Sequence, residues 1–155
     1  MNLKEFRKQH RITQKEAASL VGVPYRTYIR YEENESYVGT YKYNKIFEDL
    51  NNKLIIDENH GILSLDNIKE LLVPILLKNN IHYCYLFGSY AKRNPKENSD
   101  VDLLVDTSIT GMEFFTLVEL IRATLGKKVD LLRLSDLRAD NPIVLEILKD
   151  GIRIL

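Results

Sequence analysis

Residues 81–106 read IHYCYLFGSYAKRNPKENSDVDLLVD. The run Ile81 to Phe87 is apolar without clean alternation, which predicts a strand covered on both faces. Gly88-Ser89 then turns the chain into a short helical segment, Tyr90 to Arg93. A strand that ends in Gly-Ser and feeds a helical turn offers backbone N–H groups and a hydroxyl, a combination that holds phosphate. A charged loop follows, then a second strand, Ser99 to Asp106, carrying Asp100 and Asp102. Carboxylates two residues apart on a strand point to the same side. At about 5 Å and an effective dielectric of 20 they repel by roughly 3 kcal/mol, from which a purely structural strand gains nothing. A divalent cation removes the repulsion, and Mg2+ favours hard oxygen ligands with phosphate oxygens completing its shell.

The flanking sequence extends this plan. Gly111 to Leu125 has helical apolar spacing (Phe114, Phe115, Leu117, Val118, Leu120, Ile121, Leu125) and stops at Gly126. A short strand follows, Lys127 to Leu132, whose apolar run Asp130 interrupts. If that strand lies beside Val101 to Val105, Asp130 joins the other two carboxylates. It would serve there as a third metal ligand or as the base for an attacking hydroxyl. Upstream, Ser64 is placed to cap a helix over Leu65 to Lys78, in which Pro74 predicts a bend and after which Asn79-Asn80 ends the pattern. Downstream, residues 135–139 read as a helical turn. Asn141 caps a helix from Pro142 to Gly151, and an extended segment ends the chain.

The first third is of another kind. Leu3, Phe6 and His10 are spaced for a helix behind an Asn2 cap, and Thr13 with Glu16 forms a capping box. The helix it opens, Gln14 to Val21, should turn Ala17, Ala18, Leu20 and Val21 inward. Gly22 supplies a turn, and Pro24 suits the first position of the next helix, Pro24 to Glu33. There Thr27, Tyr28 and Tyr31 face in, and Tyr25, Arg26, Ile29 and Arg30 face out. A further helix is predicted from Tyr43 to Asn52. The polar stretch at 57–61 reads as a linker, giving domains at 1–58 and 59–155. Net charge is zero, but residues 1–31 hold seven Lys and Arg against two Glu, while 32–59 hold three basic against seven acidic groups. An anionic partner therefore suits the first segment only, and the run Glu32, Glu33, Glu35 would oppose it if it faced the same way.

Helix, glycine turn and helix make a helix-turn-helix unit. With Thr13-Gln14, Ala17-Ala18, Gly22-Val23-Pro24 and Tyr31-Glu32 it resembles the Xre/Cro-type DNA-binding domains. That resemblance implies that Gln14, Tyr25, Arg26, Thr27 and Arg30 lie at the surface of double-stranded operator DNA. One such module binds weakly, so dimerisation or assembly with a partner is expected. The segment from Tyr85 to Ala91 together with Ser99 to Val105 is similar to the minimal nucleotidyltransferases of the DNA polymerase β superfamily, whose signature is a Gly-Ser turn, a short helix and Asp-x-Asp. The resemblance covers about residues 64–155. Many such proteins are MntA-type antitoxins paired with a HEPN-domain toxin of the HepT type. It implies transfer of AMP from ATP to a toxin tyrosine with Mg2+. Asp100, Asp102 and Asp130 would be the metal and catalytic carboxylates, and Gly88, Ser89 and Arg93 would bind the nucleotide. One position departs from the pattern: Arg93 stands where the family commonly has glycine. Either the loop is remodelled or the guanidinium meets the triphosphate.

The expected fold class is therefore α+β, an all-α helix-turn-helix head followed by a small mixed-sheet nucleotidyltransferase domain. Two other functions remain open, a non-catalytic DNA-binding regulator and nucleotidyl transfer to a small molecule. The single cysteine, Cys84, excludes an internal disulfide and suits a reducing cytoplasm. The charged N-terminus predicts no secretory leader, and no apolar run approaches the roughly 20 residues of a membrane span.

Overall fold

Asn2 and Thr13 start their helices by the same device. Each side chain accepts from the backbone N–H three residues on, and the Glu there, Glu5 or Glu16, reaches back to the cap. These caps open α1 (Leu3–Gln9) and α2 (Gln14–Leu20) in a computed structural model that describes all residues, 1–155. The chain divides into two compact units, Met1–Ile55 and Ile56–Leu155; the linker reading had put the division after residue 58.

The first unit continues with α3 (Tyr25–Glu33), a 3-10 turn (Glu35–Tyr37) and α4 (Tyr41–Leu54). Pro24 takes the cap position of α3 rather than its first helical position. Thr40 caps α4 and starts it two residues before the expected Tyr43. Leu3, Phe6, Ala17, Ala18, Tyr28, Tyr31, Tyr43, Ile46 and Leu50 form the core. Leu20 is not in it, contrary to expectation, and is 37% exposed. At 100° per residue it lies about 200° round the helix from Ala18, which is fully turned in. Glu32 belongs to this core as well. Its side chain is buried, and Arg7 donates to it from Nε at 2.8 Å and Nη2 at 3.0 Å, while Gln14 donates from Nε2 at 2.9 Å. Burial alone would push the Glu32 carboxyl up, but the Arg7 and Gln14 hydrogen bonds and the Arg7 charge outweigh it and hold it below the usual range. Glu32 is thus an internal counter-ion. Only Glu33 and Glu35 of the acidic run are exposed.

The second unit runs α5 (Leu65–Lys78), β1 (Cys84–Phe87), α6 (Gly88–Ala91), β2 (Val101–Val105), α7 (Gly111–Leu125), β3 (Val129–Arg133), a 3-10 turn (Leu134–Asp136), α8 (Pro142–Asp150) and β4 (Ile152–Arg153). Ser64 caps α5, which is unbroken across Pro74. The sheet order is β3-β2-β1-β4. β1 pairs antiparallel with both β2 and β4, while β2 and β3 are parallel, joined by α7 as their crossover. The fold is α+β with a mixed sheet. β1 is shorter than the expected Ile81 to Phe87. β2 pairing ends at Val105 opposite Cys84 and β4 supplies two residues, so 81–83 have too little ladder to form strand.

Alternation sorts the strands into two faces. Leu86, Val101, Leu103, Val105 and Leu131 pack in one core with Ile68, Leu72 and Leu76 of α5 and Leu117, Ile121 and Leu125 of α7. Each fully buried leucine contributes about 1.5–3 kcal/mol. Cys84 lies in this core, where burial pushes its thiol up to about 12 and leaves it inert. Phe115 (60%) and Leu120 (45%) of the apolar α7 pattern stay exposed. The other sheet face carries the residues that alternate with the core, among them Tyr85, Asp102, Leu104 and Asp130.

Candidate active site

Four segments meet at the start of β2. Phe87, the last residue of β1, is the register partner of Asp102. Gly88 follows with φ +70 and opens α6. A Cβ on Gly88 would stand 2.1 Å from Oδ2 of Asp102, so the backbone of the turn and the carboxylate share space that only glycine leaves free. Ser89 is partly buried on the same turn. Across the sheet, Asp130 is the register partner of Asp102 on the parallel neighbour β3, and partners in register point to the same face. The strand adjacency on which a third carboxylate depended is therefore present. Asp100 sits just before β2, exposed, as is Asp130.

The electrostatics agree with that placement. The Asp102 carboxyl is pushed from its ordinary 3.8 up to about 6, first by burial, then by the charges of Asp130, Asp100 and Glu146. Glu146, on α8, carried no sequence signal: it is one polar position on an amphipathic helix, and only tertiary packing brings it here. It also receives the Lys92 ammonium at 2.7 Å. In this conformation no three His, Cys, Asp or Glu side chains are gathered closely enough to hold a metal ion. The donor set still fits a hard divalent cation. It is all carboxylate oxygen, mutually repelling, open to solvent on one side and beside a turn that can present phosphate oxygens. Next along the same face, an apolar groove of about 580 Å³ is lined by Tyr85, Leu104, Asp106, Leu137 and Ile147.

Arg93 has a left-handed backbone, φ +58, a conformation that glycine adopts without strain. Its N–H bonds to the Tyr90 carbonyl at 3.2 Å, and its side chain lines a recess with Leu63, Asp66, Tyr90 and Pro95 that contains none of the three aspartates. An L-residue held there costs about 1–2 kcal/mol. Arg93→Gly should therefore raise the stability of the second unit by about 1 kcal/mol, read as a higher midpoint in urea at unchanged slope.

In the first unit, Tyr25, Arg26 and Arg30 are exposed on α3, whereas Thr27 and Gln14 are partly buried. Gln14 is committed to Glu32 through its amide nitrogen, and Arg30 lies over the rings of Tyr31 and Tyr37 at 5.7 and 5.9 Å. No helix of the chain is long and apolar enough to cross a membrane.

Residues 69–155 match the family model described as polymerase beta, nucleotidyltransferase, and residues 3–51 match a helix-turn-helix model. The Methanocaldococcus jannaschii protein MJ0435, named as a candidate protein adenylyltransferase, is 40% identical over 73 residues, covering 45% of this chain and 77% of that one. The protein adenylyltransferase MntA of Thermococcus cleftensis is 43% identical over 85 residues, 51% of this chain and 86% of its own. A crystal structure of a toxin-antitoxin with AMP-PNP aligns at TM-score 0.49 and 24% identity, over 56% of this chain and 72% of that one.

Proposed function

The chain belongs to the polymerase β nucleotidyltransferase family, and from that premise we propose that it is an antitoxin that transfers AMP from ATP to a tyrosine hydroxyl of a HEPN/HepT-type toxin. The observation that carries the reading is the shared space of Gly88 and Asp102, with Asp130 in register beside them. A phosphate-binding turn and a set of carboxylates on one sheet face is what in-line nucleotidyl transfer requires.

Asp100 and Asp102 would hold Mg2+, which would supply charge neutralisation at the phosphates when bound, and Asp130 would act beside them as the base or as a third ligand. Gly88 and Ser89 hold the β- and γ-phosphates through backbone N–H groups and the Ser89 hydroxyl. The acceptor oxygen forms its bond to the α-phosphorus as the bond to the bridging oxygen breaks, and pyrophosphate leaves. In the role of base, Asp130, exposed and beside Asp102, takes the acceptor proton. Arg93 is exposed, and its long side chain would swing out of the recess it lines to meet the triphosphate from the loop side. If so, Arg93→Gly raises the ATP KM several-fold while stabilising the fold; a role confined to the backbone leaves KM unchanged.

The test is incubation of the full chain with α-labelled ATP, Mg2+ and the product of the neighbouring gene. Label should move to a tyrosine of that product. A wild-type chain that never transfers label to it would end the proposal.

The helix-turn-helix unit binds double-stranded operator DNA in the same reading, through Tyr25, Arg26, Thr27 and Arg30 on α3 and Gln14 at the start of α2, and represses the operon. The burial of Glu32 favours this, because it removes one carboxylate from the face that would meet phosphate. Arg26→Ala with Arg30→Ala should lower the slope of log affinity against log salt by about 2 in a gel-shift series. An unchanged slope would place the contact elsewhere.

A further inference from the structure

Lys127 is fully buried, although it is charged and precedes β3 by only two residues. Its ammonium donates to the carbonyl of His60 at 2.8 Å and to that of Glu97 at 2.5 Å. Glu97 lies in the loop that leads from α6 to β2. Apart from the Lys92–Glu146 ion pair at its start, the other bonds of that loop are local: Asn94 N–H to the Ser89 carbonyl, Ser99 N–H to the Lys96 carbonyl, and Lys96 N–H to the Ser99 hydroxyl. The next residue of the β3 side, Lys128, accepts from the Val101 N–H at 2.9 Å. Two successive residues before β3 thus tie Glu97 and Val101, on either side of Asp100.

A buried ammonium is a poor source of stability, since its desolvation offsets most of what its hydrogen bonds return. An apolar side chain would fill the same space without that cost. Burial lowers the pKa of the Lys127 ammonium, and the charges of Asp57 and Glu97 oppose this. What it does for the site follows from the two carbonyls it holds. We propose that Lys127 is a positioning residue, an internal clamp that holds the 92–100 loop so that Asp100 stands at a fixed distance from Asp102 and Asp130. The proposal rests on the reading of those carboxylates as a divalent-cation site.

The experiment compares the full-length wild type with Lys127→Met and Lys127→Arg by amide hydrogen exchange and by titration with Mn2+ alone. In Lys127→Met, amides of residues 96–100 should exchange at least 10-fold faster while those of α7 and β1 stay protected. Mn2+ affinity should fall at least 5-fold, and Lys127→Arg, which keeps two donors, should recover part of both. Unchanged loop exchange would overturn the clamp. So would faster exchange spread evenly over the second unit, which marks lost packing, or a loosened loop with undiminished Mn2+ binding. If Lys127→Met does not fold, the wild type decides. Its Lys127 ammonium protons should exchange slowly in a 15N spectrum, and exchange as fast as that of surface lysines overturns the clamp. A wild-type chain that binds no Mn2+ overturns the metal reading instead, in the same titration, and the exchange data still decide the clamp.

Discussion

Asp102→Asn is expected to abolish AMP transfer and at the same time to stabilise the fold at neutral pH. The loss of transfer follows from the removal of the central oxygen ligand of the carboxylate set, and should be at least about 10³-fold. The gain in stability follows from the raised carboxyl, which burial and the charges of Asp130, Asp100 and Glu146 push to about 6. An acid whose pKa is higher folded than unfolded favours the folded state while protonated. That contribution is complete below about pH 4 and is lost as pH rises through about 6. At pH 7 the charged Asp102 is thus a net cost. The shift from 3.8 to about 6 converts to about 3 kcal/mol without screening. Asp102 is only half-buried, and solvent reduces this to about 1 kcal/mol. Asparagine removes the cost, so the midpoint of thermal unfolding should rise by about 4 °C at pH 7 and by nothing at pH 4. Mg2+ should narrow the gap at pH 7 by stabilising the wild type alone. A variant equally stable at both pH values, or one that keeps its activity, would remove Asp102 from the centre of the site.

Much of this site could be read along the chain because its signals are local. The Asn2 cap, the Thr13 capping box, the Ser64 cap, the α7 limits at Gly111 and Leu125, and the Gly-Ser turn before Asp-x-Asp each lie within a few residues. What stayed hidden was set by residues far apart in sequence. Nothing around Glu32 says that Arg7, 25 residues earlier, will bury it and turn an apparent acidic patch into a counter-ion. Nothing around Lys127 points to Glu97, and nothing in α8 marks Glu146 as a neighbour of Asp102. The length of β1 was misjudged for a related reason. An apolar run shows what can be buried, but strand limits depend on partners, and β4 offers two residues. Arg93 is the instructive intermediate case. The glycine common at this position permits a left-handed backbone, and this chain adopts one with an arginine in it.

Gly88→Ala should also cost most of the activity, with an effect on stability opposite to that of losing Asp102. Its φ of +70 makes any Cβ strained by about 1–2 kcal/mol. The added methyl would also stand 2.1 Å from Oδ2, 2.9 Å from Cγ and 3.3 Å from Cβ of Asp102. A carboxylate tip can turn aside, but with its Cβ also crowded the Asp102 side chain must leave the position it now occupies. Transfer should fall at least about 10²-fold, because a ligand set displaced by an ångström no longer meets the reacting phosphate. Stability should fall by about 1–2 kcal/mol. Gly111→Ala supplies the control: its φ is +60 and nothing lies within 4 Å of the added Cβ, so it pays the backbone strain and should keep its activity. The double variant, Gly88→Ala with Asp102→Asn, then separates two roles for the glycine. If Gly88 matters by leaving room for Asp102, the double variant is no less active than Asp102→Asn alone. If it matters mainly by presenting its N–H to phosphate, the two losses in activity multiply, and nucleotide binding in the absence of metal weakens with Gly88→Ala but not with Asp102→Asn.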